Sequence, residues 1–223
     1  MGINKESYQK LIAEFGDKVI LVAVSKTKPV EEILALYKMG QVDFGENYVQ
    51  EMVAKAGQLP KNIRWHFIGH LQTNKVKSIA PFVHLIQGVD RMKLLKEIDK
   101  EAEKNKKILD VLLQVHIARE ETKFGMDEEE LDDVMISHFP NVRICGLMGM
   151  ASLTDNMNII RNEFRYLKTL FDKYAQPYAS AGRQISAHEL RTLSMGMSGD
   201  YKIAIEEGSN MVRIGSLIFG ERD

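Results

Sequence analysis

A single cysteine, Cys145, stands among 223 residues. That excludes an internal disulfide framework and leaves the thiol, inside the apolar run Arg143-Ile144-Cys145-Gly146-Leu147, as a small core residue of a reducing compartment. Charge of one sign is missing too. With Lys+Arg at 30 against Asp+Glu at 31, the formal net charge is −1, and no global field draws the chain to nucleic acid or to an anionic membrane. No apolar stretch approaches the ~20 residues of a spanning helix. Met1 to Lys10 is polar and charged, unlike a signal peptide, and Gly2 fails as a myristoylation site because position 6 is Glu. Together these absences predict a cytoplasmic protein.

Several motifs with a fixed mechanism are also missing. There is no G-x-G-x-x-G turn after an early strand, no P-loop, no nucleophile elbow and no H-E-x-x-H. His66 and His70 are four apart, but they fall at a strand end with no third ligand in view, so no metal site is predicted. Neither an internal repeat nor a low-complexity tract interrupts the chain.

What is present is an alternation of short apolar runs and helical patterns. After an amphipathic helix over Lys5 to Phe15, the runs predict strands at Val19–Lys26, Val42–Asn47, Ile63–Gly69, Leu85–Asp90, Ile108–Ile117, Arg143–Ala151, Thr192–Ser198 and Met211–Gly215. Helices should begin near Val30, Tyr48, Thr73, Arg91, Asp127, Asn156 and Tyr201. Nearly continuous apolar strands separated by helices point to an α/β fold, a single parallel (β/α)8 TIM barrel with an extra N-terminal helix, as one domain over residues 1–223. A doubly wound open sheet is the alternative. At 223 residues the barrel is small against the ~250 typical of the class, so its loops should be short. The charged run Lys96–Lys107 reads as a solvated helix face, with Glu103 four residues before Lys107. Tyr174–Leu190 lacks periodicity and reads as a surface connection.

Chemistry in such barrels gathers at the C-terminal ends of the strands. Those ends carry Lys26, Asn47, Gly69-His70, the Thr122-Lys123-Phe124-Gly125 loop, Met150-Ala151, Ser198-Gly199-Asp200 and Arg213 with Gly215-Ser216. Lys26 shares strand parity with Val22 and Val24, so its stem leaves the same face. A lysine amine emerging from an apolar wall is a candidate Schiff-base former, because desolvation favours its neutral form. A solvated strand-capping lysine is the equal alternative, and Lys28 is a rival nucleophile set in the loop by Pro29. Ser198-Gly199-Asp200 and Gly215-Ser216 lie in the last two loops, where barrels hold phosphate on backbone N–H groups. Arg213, in a barrel wall, needs a partner. Either a ring nitrogen, which an Arg donor keeps unprotonated, or a buried carboxylate such as Glu46 would serve. Lysine, arginine and phosphate cradle together suggest a pyridoxal phosphate site. The methionines of Leu147-Met148-Gly149-Met150 and Met195-Gly196-Met197 read as core gap-fillers.

From Leu21 to Gly220 the chain resembles the pyridoxal phosphate homeostasis protein family. The stretches that carry the resemblance are Ala23-Val24-Ser25-Lys26-Thr27-Lys28-Pro29, Phe44-Gly45-Glu46-Asn47-Tyr48-Val49-Gln50-Glu51, Trp65-His66-Phe67-Ile68-Gly69 with Leu71-Gln72-Thr73-Asn74-Lys75, Leu193-Ser194-Met195-Gly196-Met197-Ser198-Gly199-Asp200, and Met211-Val212-Arg213-Ile214-Gly215-Ser216 with Ile218-Phe219-Gly220. That family is similar to the barrel domain of alanine racemase, fold type III of the pyridoxal phosphate proteins. The resemblance implies that Lys26 carries the cofactor as a Schiff base, that Asn47 lies near its ring hydroxyl and Arg213 at its ring nitrogen, and that Ser198, Gly215 and Ser216 cradle its phosphate. It implies a non-enzymatic role in vitamin B6 homeostasis, buffering or delivering pyridoxal 5'-phosphate, with transient contact to client apoenzymes. No apolar repeat or coiled-coil seam demands a dimer, so a monomer is the default. Asn210 sits where the family commonly has Thr, away from these contacts. Racemisation needs a second acid/base that a further domain supplies in alanine racemase, and the sequence ends at Asp223 soon after the last strand. An amino-acid racemase-like enzyme is the alternative function, a class I aldolase using Lys26 a weaker third. Lys123 is expected to approach the same rim and assist cofactor exchange.

Overall fold

The computed structural model describes residues 2–120, 122–175, 179–180, 183–184 and 190–220. Helix α1 (Lys5–Phe15) starts on Asn4, whose side chain accepts the Ser7 N–H at 3.0 Å, and it stops at Gly16 with φ +52°. Tyr8, Leu11 and Phe15 recur on one face and are buried, each stabilising by roughly 1.5–3 kcal/mol relative to exposure. The Asn4 N–H donates to Ile218 O at 2.7 Å, which joins the two ends of the described chain.

Strands β1 (Ile20–Val24), β2 (Asp43–Glu46), β3 (Arg64–Phe67), β4 (Leu85–Val89), β5 (Leu109–Val115) and β6 (Val142–Gly149) follow in order. A two-stranded antiparallel hairpin comes next, β7 (Ala179–Ser180) and β8 (Arg183–Gln184), before β9 (Thr192–Ser194) and β10 (Met211–Ile214). The hairpin lies outside the barrel sheet and was not foreseen within the Tyr174–Leu190 connection, part of which falls outside the described residues. The eight remaining strands close as β1-β10-β9-β6-β5-β4-β3-β2, every pair parallel, with Ile20 against Met211 and Ala23 against Ile214 at the seam. The fold is therefore the expected parallel barrel, preceded by the expected extra helix.

Between the strands run α2 (Val30–Tyr37), α3 (Val49–Gln58), a 3-10 turn at Thr73–Lys75 leading into α4 (Val76–Ile79), α5 (Met92–Lys104), α6 (Glu128–Ile136), α7 (Met157–Ala175), α8 (Tyr201–Glu206) and α9 (Ser216–Phe219). A capping box opens α6: Asp127 accepts the Glu130 N–H at 2.8 Å, and Glu130 accepts the Asp127 N–H at 3.2 Å. That satisfies two of the donors a helix start leaves without partners. The charged run behaves differently from its pattern. Helix α5 ends at Lys104 and Lys106 has φ +53°, so Glu103 and Lys107 form no helical pair; Lys107 Nζ instead donates to Pro81 O.

Two apolar layers result. Residues such as Leu21, Phe44, Trp65 and Ile86 fill the space between strands and helices, while Val22, Leu85, Leu112, Cys145, Met148 and Met211 cluster inside the barrel. The period-2 alternation of a strand separates the layers. Cys145 is 3% exposed, with its thiol pKa raised by burial. Among the described residues no helix is long and apolar enough to cross a membrane.

Candidate functional site

Strand β1 ends at Val24, and Ser25 and Lys26 carry the chain over the C-terminal rim. Thr27 then adopts φ +64°, a left-handed conformation costly for a β-branched residue and held only where surroundings over-determine it. Here a buried ionic group does so. Lys55 Nζ donates to Ser25 O at 2.7 Å, Glu46 Oε1 at 2.7 Å and Glu51 Oε1 at 2.6 Å. Ser25 Oγ donates to Glu46 Oε1 at 2.6 Å, and the Thr27 N–H to Glu51 Oε1 at 2.6 Å. Both peptide neighbours of Lys26 are thus tied to one ammonium and its carboxylates. Burial pushes the Glu46 carboxyl up, outweighing the hydrogen bond from Lys55. Lys28, the rival amine, donates to Phe219 O at 2.9 Å.

Asn47 follows β2, and its Oδ1 is buried with no hydrogen-bond partner among the described residues. A buried acceptor left unmade costs roughly 1–3 kcal/mol, so it marks a place for a donor. Its neighbour across the rim is Gly69. A Cβ there would stand 2.3 Å from Asn47 O, a distance no side chain tolerates, so only glycine lets the β3 loop pass this close.

Arg213 lies on β10 and is 4% exposed. Its Nη1 donates to Ser194 Oγ at 2.6 Å and its Nη2 to Gly149 O at 2.9 Å, which leaves further donors of the five-donor guanidinium. Burial lowers its pKa to about 10, opposed by the charge of Asp200, so it remains cationic at neutral pH. Asp200 in turn is pushed up by burial, opposed by a hydrogen bond from the Met197 N–H and by Arg213. Arg213 is not paired with Glu46. That carboxylate is taken by Lys55 and Ser25, because the two residues meet different neighbours once the barrel closes.

Gly215 precedes α9, and its N–H donates to Ser198 Oγ at 3.4 Å, joining the last two rim loops. A Cβ on Gly215 would sit 3.2 Å from Val24 O. Lys26, Asn47, Ser198, Arg213, Gly215 and Ser216 all line one cavity of about 570 Å³, within the ~300–1,000 Å³ of small-molecule pockets. A buried unpaired acceptor, spare guanidinium donors, two hydroxyls and an amine on its wall suit a small polar ligand bearing an anionic group.

Other placements differ from the sequence reading. Met150 and Met197 line this cavity rather than filling core gaps, whereas Met148 and Met195 are buried. Lys123 does reach the rim, where its Nζ donates to Ala151 O at 2.7 Å and lies 3.5 Å from Glu120, but it is not among the cavity's lining residues. His70 Nδ1 pairs with Asp90 at 2.8 Å and stacks on Phe124 at 3.9 Å, so it shares no site with His66, whose Nε2 meets Asp43 at 2.9 Å. Asp43, His66 and His84 each bring a ligand-type atom within 4.8 Å of the others. Arg64 engages both oxygens of that carboxylate, so a guanidinium already supplies the positive charge there. Three polar residues escaped the sequence reading: Lys55, Gln87 and Ser194. Only their occurrence in otherwise apolar stretches could have drawn notice to them.

The profile described as "Alanine racemase, N-terminal domain" matches residues 5–223. A pyridoxal phosphate homeostasis protein of Aquifex aeolicus is 43% identical over 205 residues, spanning 91% of this chain and 86% of that protein. The structure of PipY from Synechococcus elongatus, solved without PLP, superposes with a TM-score of 0.89 at 32% identity, covering 96% of this chain and 99% of PipY. PipY with PLP bound gives a TM-score of 0.85 at 31% identity, with coverage of 96% and 99%. Barrel, rim geometry and sequence likeness agree, and the chain belongs to the pyridoxal phosphate homeostasis protein family, within the alanine racemase N-terminal domain family.

Proposed function

We propose that this protein binds pyridoxal 5'-phosphate in the rim cavity, held covalently through Lys26, and buffers or delivers it to apoenzymes in vitamin B6 homeostasis. In this reading residues 1–223 act as one barrel domain in the cytoplasm, as a monomer in transient contact with its clients. One observation carries it: Lys26, the buried Arg213 and the unpaired Asn47 Oδ1 converge on a single cavity. When bound, the cofactor supplies an aldehyde that a lysine amine captures. Lys26 is the amine in this assignment: it leaves the end of β1 with the strand parity of Val22 and Val24 and lines the cavity together with Arg213. Arg213 donates to the ring nitrogen and Asn47 accepts from the ring hydroxyl, while Ser198, Gly215 and Ser216 hold the phosphate. Support for the cofactor comes from PipY, solved with PLP bound.

The same wall speaks for a carrier rather than a racemase. A guanidinium keeps the ring nitrogen unprotonated, which weakens the ring as an electron sink. Racemisation also needs a second proton-transfer group opposite Lys26. Among the described lining residues there is no histidine, tyrosine, cysteine or carboxylate; the second amine on the wall, Lys28, donates to Phe219 O.

The test is an absorbance spectrum of the loaded protein beside Lys26→Ala, with borohydride trapping and peptide mapping. A visible band that disappears in the variant, with the trapped adduct on Lys26, is the expected result. A colourless loaded protein, or an adduct on another lysine, refutes the assignment. Transfer of the bound cofactor to an added apoenzyme checks delivery. Lys26-dependent exchange of amino-acid α-protons in deuterated water, far above free cofactor, would establish an enzyme instead.

A further inference from the structure

A file of side chains runs through the barrel interior from the ligand cavity to the opposite mouth. Arg213 Nη1 donates to Ser194 Oγ at 2.6 Å, and Ser194 Oγ donates to Gln87 Oε1 at 2.8 Å. Gln87 Nε2 meets His66 Nδ1 at 3.0 Å, and His66 Nε2 meets Asp43 Oδ1 at 2.9 Å. The carboxylate then accepts from Arg64 at 2.7 Å. Ser194 and Gln87 are fully buried and His66 is 1% exposed. Asp43, Arg64 and His66 line a smaller cavity of about 130 Å³ near the strand starts. Buried polar groups in such a core must be satisfied or they destabilise it.

The two ends, together with the orientation of the Gln87 amide, set the polarity of everything between. A guanidinium only donates and an ionised carboxylate only accepts. Burial alone would raise the Asp43 carboxyl, but hydrogen bonds from His66 and Arg64 outweigh it and hold the group below its ordinary value. Ser194 therefore receives from Arg213 and gives to Gln87 Oε1. The Gln87 amide gives to Nδ1, and the single proton of His66 sits on Nε2. Reversing Gln87 would place its oxygen on Nδ1 and require a second proton on the ring.

We infer that Ser194, Gln87, His66 and Asp43 are positioning residues for Arg213, a directional relay that aims its remaining donors into the ligand cavity. The relay keeps an acceptor lone pair of Ser194 on the guanidinium, which with Gly149 O leaves Arg213 one orientation. This rests on the reading of Arg213 as the ring-nitrogen partner. The hydrogen-bonded state of that nitrogen is then set partly by residues at the far end of the barrel.

Two measurements test it. Long-range ¹H–¹⁵N correlation of the cofactor-free protein at pH 8 should report His66 as the Nε2–H tautomer; an Nδ1–H tautomer or an imidazolium overturns the relay whatever the cavity binds. Pyridoxal phosphate labelled with ¹⁵N in the ring is then loaded into the wild type, Ser194→Ala, Gln87→Leu and His66→Gln. In Ser194→Ala and Gln87→Leu the ring ¹⁵N resonance should move and affinity should fall about tenfold. His66→Gln, which can still accept from Gln87 and donate to Asp43, should restore the wild-type resonance. An unchanged resonance with affinity within twofold in folded Ser194→Ala, which removes one oxygen only, refutes the positioning role even if Gln87→Leu fails to fold. Wild-type protein that takes up no cofactor refutes the function reading and the positioning role with it, while the His66 tautomer still decides the polarity of the chain.

Discussion

Asn47 and Gly69 show how a single missing side chain shapes the rim. The place where a Gly69 Cβ would stand is 2.3 Å from Asn47 O and 2.9 Å from Asn47 Cα. Both obstacles are backbone, so neither can swing aside. Gly69→Ala should destabilise by about 1–3 kcal/mol, read as a lower urea midpoint at unchanged slope, and should weaken cofactor binding by displacing Asn47. A variant as stable as wild type would show that the loop has room. At this scale Lys26 and Arg213 were legible in the sequence, since a charged residue in register with buried strand positions stands out by parity. Gln87 and Ser194 were not. An uncharged polar residue inside Leu-Ile-Gln-Gly-Val carries no periodic signal, and its partners come from strands 107 residues apart.

The joint between β1, β2 and α3 is held by one buried ammonium. Lys55 is 5% exposed, Glu46 is fully buried, and Glu51 precedes Lys55 by one helical turn. Removing one member of a buried ionic group typically costs about 3–5 kcal/mol, because the remaining charge has no compensation. Lys55→Met should therefore destabilise on that order, and adding Glu46→Gln should recover part of the loss. A double-mutant cycle in urea measures the coupling, and simple additivity would refute it. The same joint pins both neighbours of Lys26, so Lys55→Met should also slow borohydride-trappable loading. Element positions were largely legible, since α1 spans the expected Lys5 to Phe15 and seven of the eight barrel strands fall inside their expected runs, β6 starting one residue early at Val142. Ends were less so. The run expected to Ser198 stops as β9 at Ser194, because Gly196 turns with φ +98° and the Met197 N–H bonds to Asp200. Local pattern continues where tertiary hydrogen bonds have already ended the strand.

Across the whole molecule, the barrel separates a ligand mouth from an ionic mouth with opposite responses to acid. Asp43 has its pKa lowered below 3.8. Its stabilising effect is complete above that value and is lost as pH falls through the lower folded-state pKa. Glu46 is raised above 4.5, so the fold takes up its proton more readily than the unfolded chain. Acidification through that interval adds stability from Glu46 rather than removing it. The urea midpoint should therefore hold or rise slightly as pH falls to 4.5 and drop once it passes below 3.8. Asp43→Asn should flatten the acid limb and Glu46→Gln the shallow rise. An acid limb unchanged in Asp43→Asn would assign the loss to other carboxylates.

Apolar runs of strand length, spaced by helical patterns, determined the barrel, because burial on both faces demands continuous apolar strands and parallel strands demand crossovers. Rim positions followed from strand parity. The partners of each charge were decided only by closure. Whether Arg213 meets Glu46 or Ser194, and that Lys28 reaches Phe219 O, depends on register between strands far apart in the chain. Hydrogen bonding acts over about 3 Å, a distance that sequence separation does not encode.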